Sequence, residues 1–290
     1  MDSVTIDNFK FNVLKNVKNE YIDTHTSTKR YDYYSDTIDS GLNTHYFLLF
    51  ETCFDGAFGH WVFESAIFLT FFEKIKEQFI DKNVKILVKK NPGRKYKKLF
   101  FDALDIKEED IYYIDNKIVD SSDTCYDNIP VNNCCICCNN YGINNKNYSN
   151  ADISKYKTLL LKFHQHINNI NNIKFNYDKN IKNLFLPRNK VENYAPNDRQ
   201  VDYNKVYKLL ENKQYIEYNT FETNKLYEQI QLLLSSENIY LDFGGSFHVN
   251  GFFCKNSTIN VINFNNNSFQ YPILKLLYFY IKENNIINYI

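Results

Sequence analysis

The chain has 290 residues, 44% of them hydrophobic and 17% aromatic, which is enough for one large domain or two smaller ones with buried cores. Its formal net charge is +0 at pH 7, and no basic region argues for a nucleic-acid partner or an acidic membrane surface. The most apolar stretch, residues 57–72, is too short for a transmembrane segment, and no signal segment begins the chain, so we expect a cytoplasmic protein.

Predicted strands and helices alternate in the first half of the chain, after an irregular arm over residues 1–44 with a few short strands. Apolar runs bounded by turns predict the strands, and apolar residues at helical spacing predict the helices. The predicted strands cover 46–50, 84–88, 111–114, 118–119 and part of 127–138. The predicted helices cover 58–79, the stretch after 91–93 through Leu104, and 153–167. This alternation predicts parallel strands covered by helices.

The second half is more regular and follows a polar, repetitive stretch at 168–180, which we interpret as a linker. Strands are predicted at 184–186, 215–218, 239–243 and 258–262, with helices at 203–212, 222–235, after 244–245 and over 270–283. This order is typical of a Rossmann-like domain, in which ligands bind outside the carboxyl ends of the strands. We therefore predict an N-terminal domain over 1–170 and a C-terminal domain over 171–290, with the last helix packing back on the N-terminal domain as an alternative.

The first chemical motif lies where a predicted strand turns into the helix that begins near Phe58. Asp55 lies in the turn, and His60 and Glu64 share one helix face because they are four residues apart. An imidazole or a carboxylate here is suited to taking a proton from a hydroxyl group. The alternatives are a core histidine beside Trp61, the only tryptophan, and an ordinary helix acid at Glu64.

The second motif follows the predicted strand at 239–243. Gly244 and Gly245 permit a positive φ angle and close approach of the backbone to a ligand, and a helix amino end beyond them attracts an anion such as a diphosphate. The alternative is a tight turn with Ser246 capping the helix. His248 is expected either to line the pocket or to cap the helix. The pattern differs from the dinucleotide fingerprint and from a phosphate loop, so neither a dinucleotide cofactor nor NTP hydrolysis is expected.

Arginine occurs at only four positions in a lysine-rich chain, and two of them, Arg188 and Arg199, follow the predicted strand at 184–186. A guanidinium binds phosphate oxygens with two parallel hydrogen bonds, although surface ion pairing is the alternative for both. The five-residue stretch 134–138 contains four cysteines, which are too close together for a zinc site and are interpreted as buried thiols. No Asp-x-Asp motif occurs, so no metal ion is expected.

In this order the motifs resemble glycosyltransferase family 61. Phe58–Glu64 is similar to the family's His-Trp helix, Arg188 ends a strand as in the family, 228–230 is similar to its Glu-Gln-Ile helix, and 244–253 is similar to its glycine turn. The departures are Gly244 in place of the family's turn histidine, His248 in place of a common leucine, and Asn189 in place of a paired arginine; Arg199 matches a second family arginine only across a gap. The abundance of Asn, Lys, Ile and Tyr resembles proteins of giant DNA viruses.

The resemblance implies a GT-B-like α/β fold, two Rossmann-like domains that face each other across a cleft, and metal-independent, inverting transfer from a nucleotide sugar. The general base is then Asp55 or His60, with Glu64 orienting His60. Arg188, Gly245 and Ser246 would stabilise the departing diphosphate, with Asn189, Arg199, Gly244 and His248 around the donor. Asn250 would hold the turn or contact the nucleotide.

The expected partners are a nucleotide sugar, with UDP as its nucleotide, and a glycan or glycoprotein acceptor; the sequence is also compatible with a homodimer. No cofactor is expected beyond this co-substrate. The main alternative is a protein of the same fold that binds nucleotide sugars or glycans without turnover. A doubly wound hydrolase is disfavoured because no Gly-x-Ser-x-Gly elbow occurs, and a structural virion protein would have neither a cleft nor nucleotide affinity.

Overall fold

The computed structural model describes residues 2–14, 20–22, 29–32, 44–48, 58–89, 96–114, 116–120, 123–126, 134–138, 145–169, 174–187, 203–218, 226–262 and 266–290. Its strands are β1 Asp2–Ile6, β2 Phe9–Leu14, β3 Glu20–Ile22, β4 Lys29–Asp32, β5 Thr44–Leu48, β6 Asn83–Lys89, β7 Ile111–Ile114, β8 Asn116–Asp120, β9 Asp123–Tyr126, β10 Cys134–Cys138, β11 Ile181–Leu186, β12 Ile216–Glu217, β13 Ser236–Asp242, β14 Thr258–Ile262 and β15 Ile286–Tyr289. Its α-helices are α1 Phe58–Glu64, α2 Phe72–Gln78, α3 Tyr96–Ala103, α4 Asn150–Asn169, α5 Asn204–Leu210, α6 Leu226–Leu234, α7 Gly245–Phe253 and α8 Pro272–Asn284.

The described residues group into two compact units that are not consecutive in sequence. The first unit contains Met1–Gly56, His60–Arg94 and Leu104–Asn145, and the second contains Ala57–Gly59, Lys95–Ala103 and Lys146–Ile290. The beginning of α1 and the whole of α3 therefore belong with the C-terminal part of the chain.

The first unit contains a mixed sheet of six strands in the order β1-β2-β10-β5-β6-β7. The strands β10, β5, β6 and β7 are parallel to one another, whereas β2 is antiparallel to both β1 and β10. The hairpin of β1 and β2 turns at Asp7 and Asn8, which both adopt positive φ angles that these residue types tolerate better than most. The prediction of parallel strands is thus correct for β5, β6, β7 and β10. It is wrong for the strand predicted at 118–119, because β8 forms an antiparallel pair with β9, which follows it in the chain.

The second unit contains a five-stranded, fully parallel sheet in the order β12-β11-β13-β14-β15. The register pairs Leu186 of β11 with Leu241 of β13, and Asp242 with Ile262 of β14, so the carboxyl ends of the central strands are level. The inner part of each central strand is buried, as expected for a parallel sheet that is covered on both faces. The α/β class with a parallel sheet in the C-terminal half is therefore confirmed.

Aromatic rings connect the helices of the second unit. Phe100 of α3 stacks on Phe163 of α4 at 6.0 Å between ring centroids, and Phe163 stacks on Phe252 of α7 at 6.4 Å. Tyr280 of α8 lies 5.0 Å from Phe252. All three phenylalanines are buried, so burial of their rings contributes to the stability of this layer. The last helix packs here, against α4 and α7 of its own unit.

Two elements differ from the sequence-based prediction. The helix predicted over 58–79 consists of α1, a 3-10 helix at Ala66–Phe71 and α2, with the change at Ser65. Five of the six residues in the 3-10 helix are buried, so packing on several sides, rather than an amphipathic pattern, determines its geometry. The strand β15 was not predicted because it is short and largely exposed, and therefore lacks a burial pattern. No helix among the described residues is long and apolar enough to cross a membrane.

Candidate functional site

The carboxyl edge of the parallel sheet contains a topological switch point between β11 and β13. From β11 the chain moves to β12 on one side, and it then returns to β13, β14 and β15 on the other side. Connections that leave two neighbouring strands in opposite directions leave a crevice above the strand ends, where ligands of such sheets bind. Pro187 follows β11 at this edge, and Phe243 and Gly244 follow β13.

Gly244 has a backbone conformation that only glycine adopts readily, with φ 111° and ψ −141°. A Cβ atom at this position would have no heavy atom within 4 Å. The requirement for glycine therefore comes from the backbone angles and not from lack of space. The turn leads directly into α7, whose first amide groups have no carbonyl partner within the helix and carry its partial positive charge.

His248 is buried and holds this turn from one helical turn further along. Its ring Nδ1 lies 2.8 Å from the carbonyl oxygen of Gly244, which also accepts a hydrogen bond from the backbone N–H of His248 at 3.0 Å. A carbonyl oxygen only accepts, so Nδ1 carries a proton and donates. The ring lies near Phe243 and Phe247, at 5.6 and 5.1 Å between centroids. In this structure His248 therefore supports the turn that Gly244 begins.

Ser246 and Asn250 share one face of α7 and are connected to α6. Asn250 Nδ2 donates to the Ser246 carbonyl at 2.9 Å and to Ser246 Oγ at 3.1 Å. Gln229 Nε2 of α6 donates to Asn250 Oδ1 at 2.5 Å. Gln229 and Asn250 are 3% and 1% exposed, so this chain of hydrogen bonds lies in the interior. In this structure Asn250 therefore holds the first turn of α7, and its contact with a nucleotide stays a prediction.

The beginning of α1 is in direct contact with the beginning of α7. A Cβ atom on Gly59 would lie 2.8 Å from Cα of Gly245, and a Cβ atom on Gly245 would lie 2.9 Å from the backbone nitrogen of Gly59. Both distances are shorter than real Cβ contacts, so this approach requires glycine at both positions. Within the second unit, the structure therefore brings Gly59 of the first motif against the glycine turn of the second motif.

His60 and Glu64 form a pair on α1. Nδ1 of His60 lies 3.1 Å from Oε1 of Glu64, with side-chain exposures of 17% and 1%. A carboxylate this close to one ring nitrogen leaves the other nitrogen for proton transfer. This geometry is the one expected if Glu64 orients His60.

Asp242 and Tyr203 are two polar residues at the switch point that the sequence analysis did not select. The hydroxyl of Tyr203 donates to Oδ2 of Asp242 at 2.7 Å, and Asp242 is buried at the carboxyl end of β13. The ring of Tyr203 packs against Phe185 of β11 at 5.3 Å. The available signal was a carboxylate that follows the apolar run 239–241 and lies two residues before Gly244.

Four predicted site residues lie outside the described residues: Asp55, Arg188, Asn189 and Arg199. Their proposed roles stay predictions. The side chains of the cysteine stretch 134–138 are likewise outside the description, although its backbone forms β10. Within the described ranges, no group of three His, Cys, Asp or Glu side chains is arranged to hold a metal ion.

Comparison with known proteins adds no family assignment to this geometry. No protein-family model matches the chain, and no curated protein matches it at a significant level.

Proposed function

We propose that the protein is a metal-independent, inverting glycosyltransferase that moves a sugar from a nucleotide-sugar donor to a hydroxyl group of a glycan or protein. In this proposal two Rossmann-like domains form a GT-B-like enzyme, and the C-terminal domain binds the donor. The supporting observation is the contact between Gly59 and Gly245, because it joins the two separate motifs at the carboxyl edge of a parallel sheet.

The proposed donor site uses the amino end of α7. The diphosphate would accept hydrogen bonds from the backbone N–H groups of Gly245 and Ser246, where the helix carries partial positive charge. Arg188, three residues after Phe185 of β11, would add a guanidinium. These groups neutralise the charge that develops on the leaving diphosphate, which is usually the largest electrostatic contribution to such a reaction.

The proposed general base is His60, with Asp55 as the second candidate. In an inverting transfer the acceptor hydroxyl attacks the anomeric carbon on the side opposite the diphosphate. The base takes the proton from the attacking oxygen, the bond between the anomeric carbon and the diphosphate oxygen breaks, and the diphosphate leaves with the electron pair. The contact between His60 and Glu64 supports His60, because the carboxylate stabilises the imidazolium that forms.

The first experiment is a thermal-shift screen of nucleotide sugars with the full chain, followed by an assay for donor hydrolysis or transfer with the best ligand. A ligand that binds only the folded state raises the apparent melting temperature by mass action. His60→Ala is expected to abolish turnover and to change donor affinity less than threefold. His166→Ala, which changes a half-buried histidine of α4 outside the proposed site, is the matched control and should keep full activity.

Arg188→Ala is expected to weaken binding of the UDP-sugar by roughly 1.5–3 kcal/mol, the range of hydrogen bonds to charged groups. Unchanged binding would remove Arg188 from the site. Tight UDP binding without any turnover would instead support the binding protein. That alternative is motivated by Gly244 in place of the family's turn histidine, and by the buried His248, whose Nδ1 donates to the turn carbonyl.

A further inference from the structure

Four oxygen atoms at the amino edge of the parallel sheet, where its strands begin, surround one positive charge. Nζ of Lys179 lies 2.7 Å from the carbonyl oxygens of Leu234 and Lys255, 2.9 Å from that of Ser236 and 2.8 Å from Oγ of Ser257. Lys179 itself precedes β11. Its ammonium group therefore joins two successive connections, the one from α6 to β13 and the one from α7 to β14.

The carboxyl ends of two helices contribute to the negative potential at this point. Leu234 is the last residue of α6, and Lys255 lies two residues beyond Phe253, the last residue of α7. The last carbonyl groups of a helix have no partner within the helix and carry its partial negative charge. The helix dipoles and the four oxygens therefore both favour a cation here, whether or not that cation carries protons.

The four contacts suit a large cation with a single charge. Their lengths of 2.7–2.9 Å exceed the roughly 2.0–2.6 Å at which oxygen ligands hold Mg²⁺ and Ca²⁺. The four atoms are three carbonyl oxygens and one hydroxyl oxygen, and none of them belongs to a carboxylate of the kind that divalent ions prefer. Backbone carbonyl oxygens replace the hydration shell of K⁺ in potassium channels. Size and charge therefore indicate K⁺ or an ammonium ion.

The hydrogen-bond count indicates attraction by charge in addition to ordinary hydrogen bonds. An ammonium group has three protons, but four oxygens surround Nζ of Lys179. Oγ of Ser257 also donates its own proton to the carbonyl oxygen of Ser236 at 2.9 Å, so its lone pairs face Lys179. At least one of the four oxygens is thus attracted to the charge without receiving a proton of its own from Lys179.

We propose that these four oxygens form a monovalent-cation site whose permanent occupant is the ammonium group of Lys179. The chain then needs no dissolved ion to hold the carboxyl ends of α6 and α7 at this edge. When the side chain of Lys179 is shortened, the same oxygens should bind K⁺ or a small ammonium ion from solution. Lys179 is only half-buried and Lys255 is exposed, so solvent ions can reach the site. The site lies at the edge opposite the Gly244 turn and does not depend on the proposed function.

The experiment measures urea unfolding of the full chain in KCl, NaCl or methylammonium chloride, with choline chloride keeping the ionic strength constant. The folding equilibrium constant of the unmodified chain should agree within about twofold among these salts, because Lys179 fills the site. In Lys179→Ala the constant should rise about tenfold between zero and about 200 mM KCl, as for an ion that binds the folded state with a Kd of about 20 mM. Na⁺ is smaller, and NaCl should raise the constant less than about threefold.

Lys179→Met is the matched control, because its uncharged side chain still fills the space of the lysine stem. Its folding equilibrium constant should not respond to KCl by more than about twofold. Lys182→Ala, which removes an exposed partner of Glu237, controls for the loss of a surface charge and should be equally unresponsive. Ser257→Ala added to Lys179→Ala removes one of the four oxygens and should reduce the response to KCl at least threefold.

Three results would overturn the cation site. Equal responses of Lys179→Ala and Lys179→Met to KCl would show a general effect of the salt. Stabilisation of Lys179→Ala by methylammonium but not by KCl would show that the oxygens require N–H donors and do not bind a bare cation. If Lys179→Ala stays unfolded in every salt, no dissolved cation replaces the ammonium group. None of these results bears on the transferase proposal, which is tested by nucleotide-sugar binding and turnover.

Discussion

The amino and carboxyl edges of the C-terminal sheet are built from similar polar groups but use them differently. At the amino edge, Nζ of Lys179 lies within 2.9 Å of the carbonyl oxygens of Leu234, Ser236 and Lys255 and of the hydroxyl oxygen of Ser257. This ammonium group has more acceptors around it than protons to give. The polar groups of this edge are therefore bonded to one another.

At the carboxyl edge the polar groups accept hydrogen bonds from neighbouring side chains. His248 supports the Gly244 carbonyl, Tyr203 supports Asp242, and Asn250 supports Ser246, whose hydroxyl proton points away from Asn250. Under the proposed function, the amino edge serves stability and the carboxyl edge serves ligand binding. This difference predicts that changes at the first edge alter the free energy of unfolding and changes at the second alter affinity.

The pH dependence of stability tests the packing of His164 on α4 against Phe252 and Tyr280. Burial and the nearby charge of Lys255 lower the pKa of His164 from 6.5 to about 4. A depressed folded-state pKa gives stability that is complete above pH 6.5 and is lost as pH falls toward 4, because the unfolded chain binds the proton more tightly. His164 should therefore account for a loss of about 3 kcal/mol in unfolding free energy between pH 7 and pH 4.

The measurement is urea unfolding at several pH values, for the unmodified chain and for His164→Gln. The variant keeps a polar partner for the hydroxyl of Tyr280, which lies 2.7 Å from His164 Nδ1. Its stability should fall less steeply below pH 6.5. Parallel curves for the two proteins would show that His164 does not titrate as described.

Lys179→Met tests the amino edge. Removing the ammonium group leaves three carbonyl oxygens without this donor, and desolvation already lowers the pKa of Lys179. We expect the unfolding free energy to fall by about 2–3 kcal/mol, the cost of unsatisfied, partly buried acceptors. UDP affinity, measured well below the melting temperature, should not change.

Lys182→Met, near the start of β11, is the matched control. Lys182 pairs with Glu237 on an exposed part of β13, and such surface pairs contribute less than about 1 kcal/mol. Equal destabilisation by the two lysine substitutions would contradict the special role assigned to the amino edge.

Gly245→Ala tests the carboxyl edge and has the smallest expected effect on stability. The new Cβ atom would collide with the backbone of Gly59, and overpacking of this kind costs about 1–3 kcal/mol, offset by the better helix propensity of alanine. A net loss of about 1–2 kcal/mol is expected, together with at least tenfold weaker UDP binding.

Gly251→Ala is the control within α7, because the atoms nearest to its Cβ atom would belong to the side chain of Ile281 and not to backbone. It should change the unfolding free energy by less than 1 kcal/mol and leave UDP affinity unchanged. Stronger destabilisation by Gly251→Ala than by Gly245→Ala would show that the contact of α1 with α7 is not rigid.

The regular parts of the C-terminal sheet could be predicted from sequence because their signals are local. Residues 239–243 and 258–262 are short apolar runs between turns, and β13 and β14 lie within a few residues of the predicted bounds. The glycine turn into α7 was predicted for the same reason. Edge strands give weaker signals, and β15, with Ile286 largely exposed, shows no burial pattern.

The parts that sequence could not supply depend on contacts between distant residues. Lys179 lies in a stretch that was interpreted as a linker, yet it bonds to atoms on either side of β13. Gly59 resembled a spacer within the His60 motif, although Gly245 determines its identity. The link from Tyr203 to Asp242 likewise joins a loop to a strand end, and nothing in either local pattern indicates it.

The discontinuous second unit limits how this protein can be divided. A fragment that begins near Lys146 keeps all five parallel strands but loses α3, whose Phe100 covers Phe163. It also loses Gly59, so the first turn of α7 would be uncovered at its closest backbone contact. The C-terminal half is therefore not an independent module. Its transfer to another chain would also require two short segments of the N-terminal half.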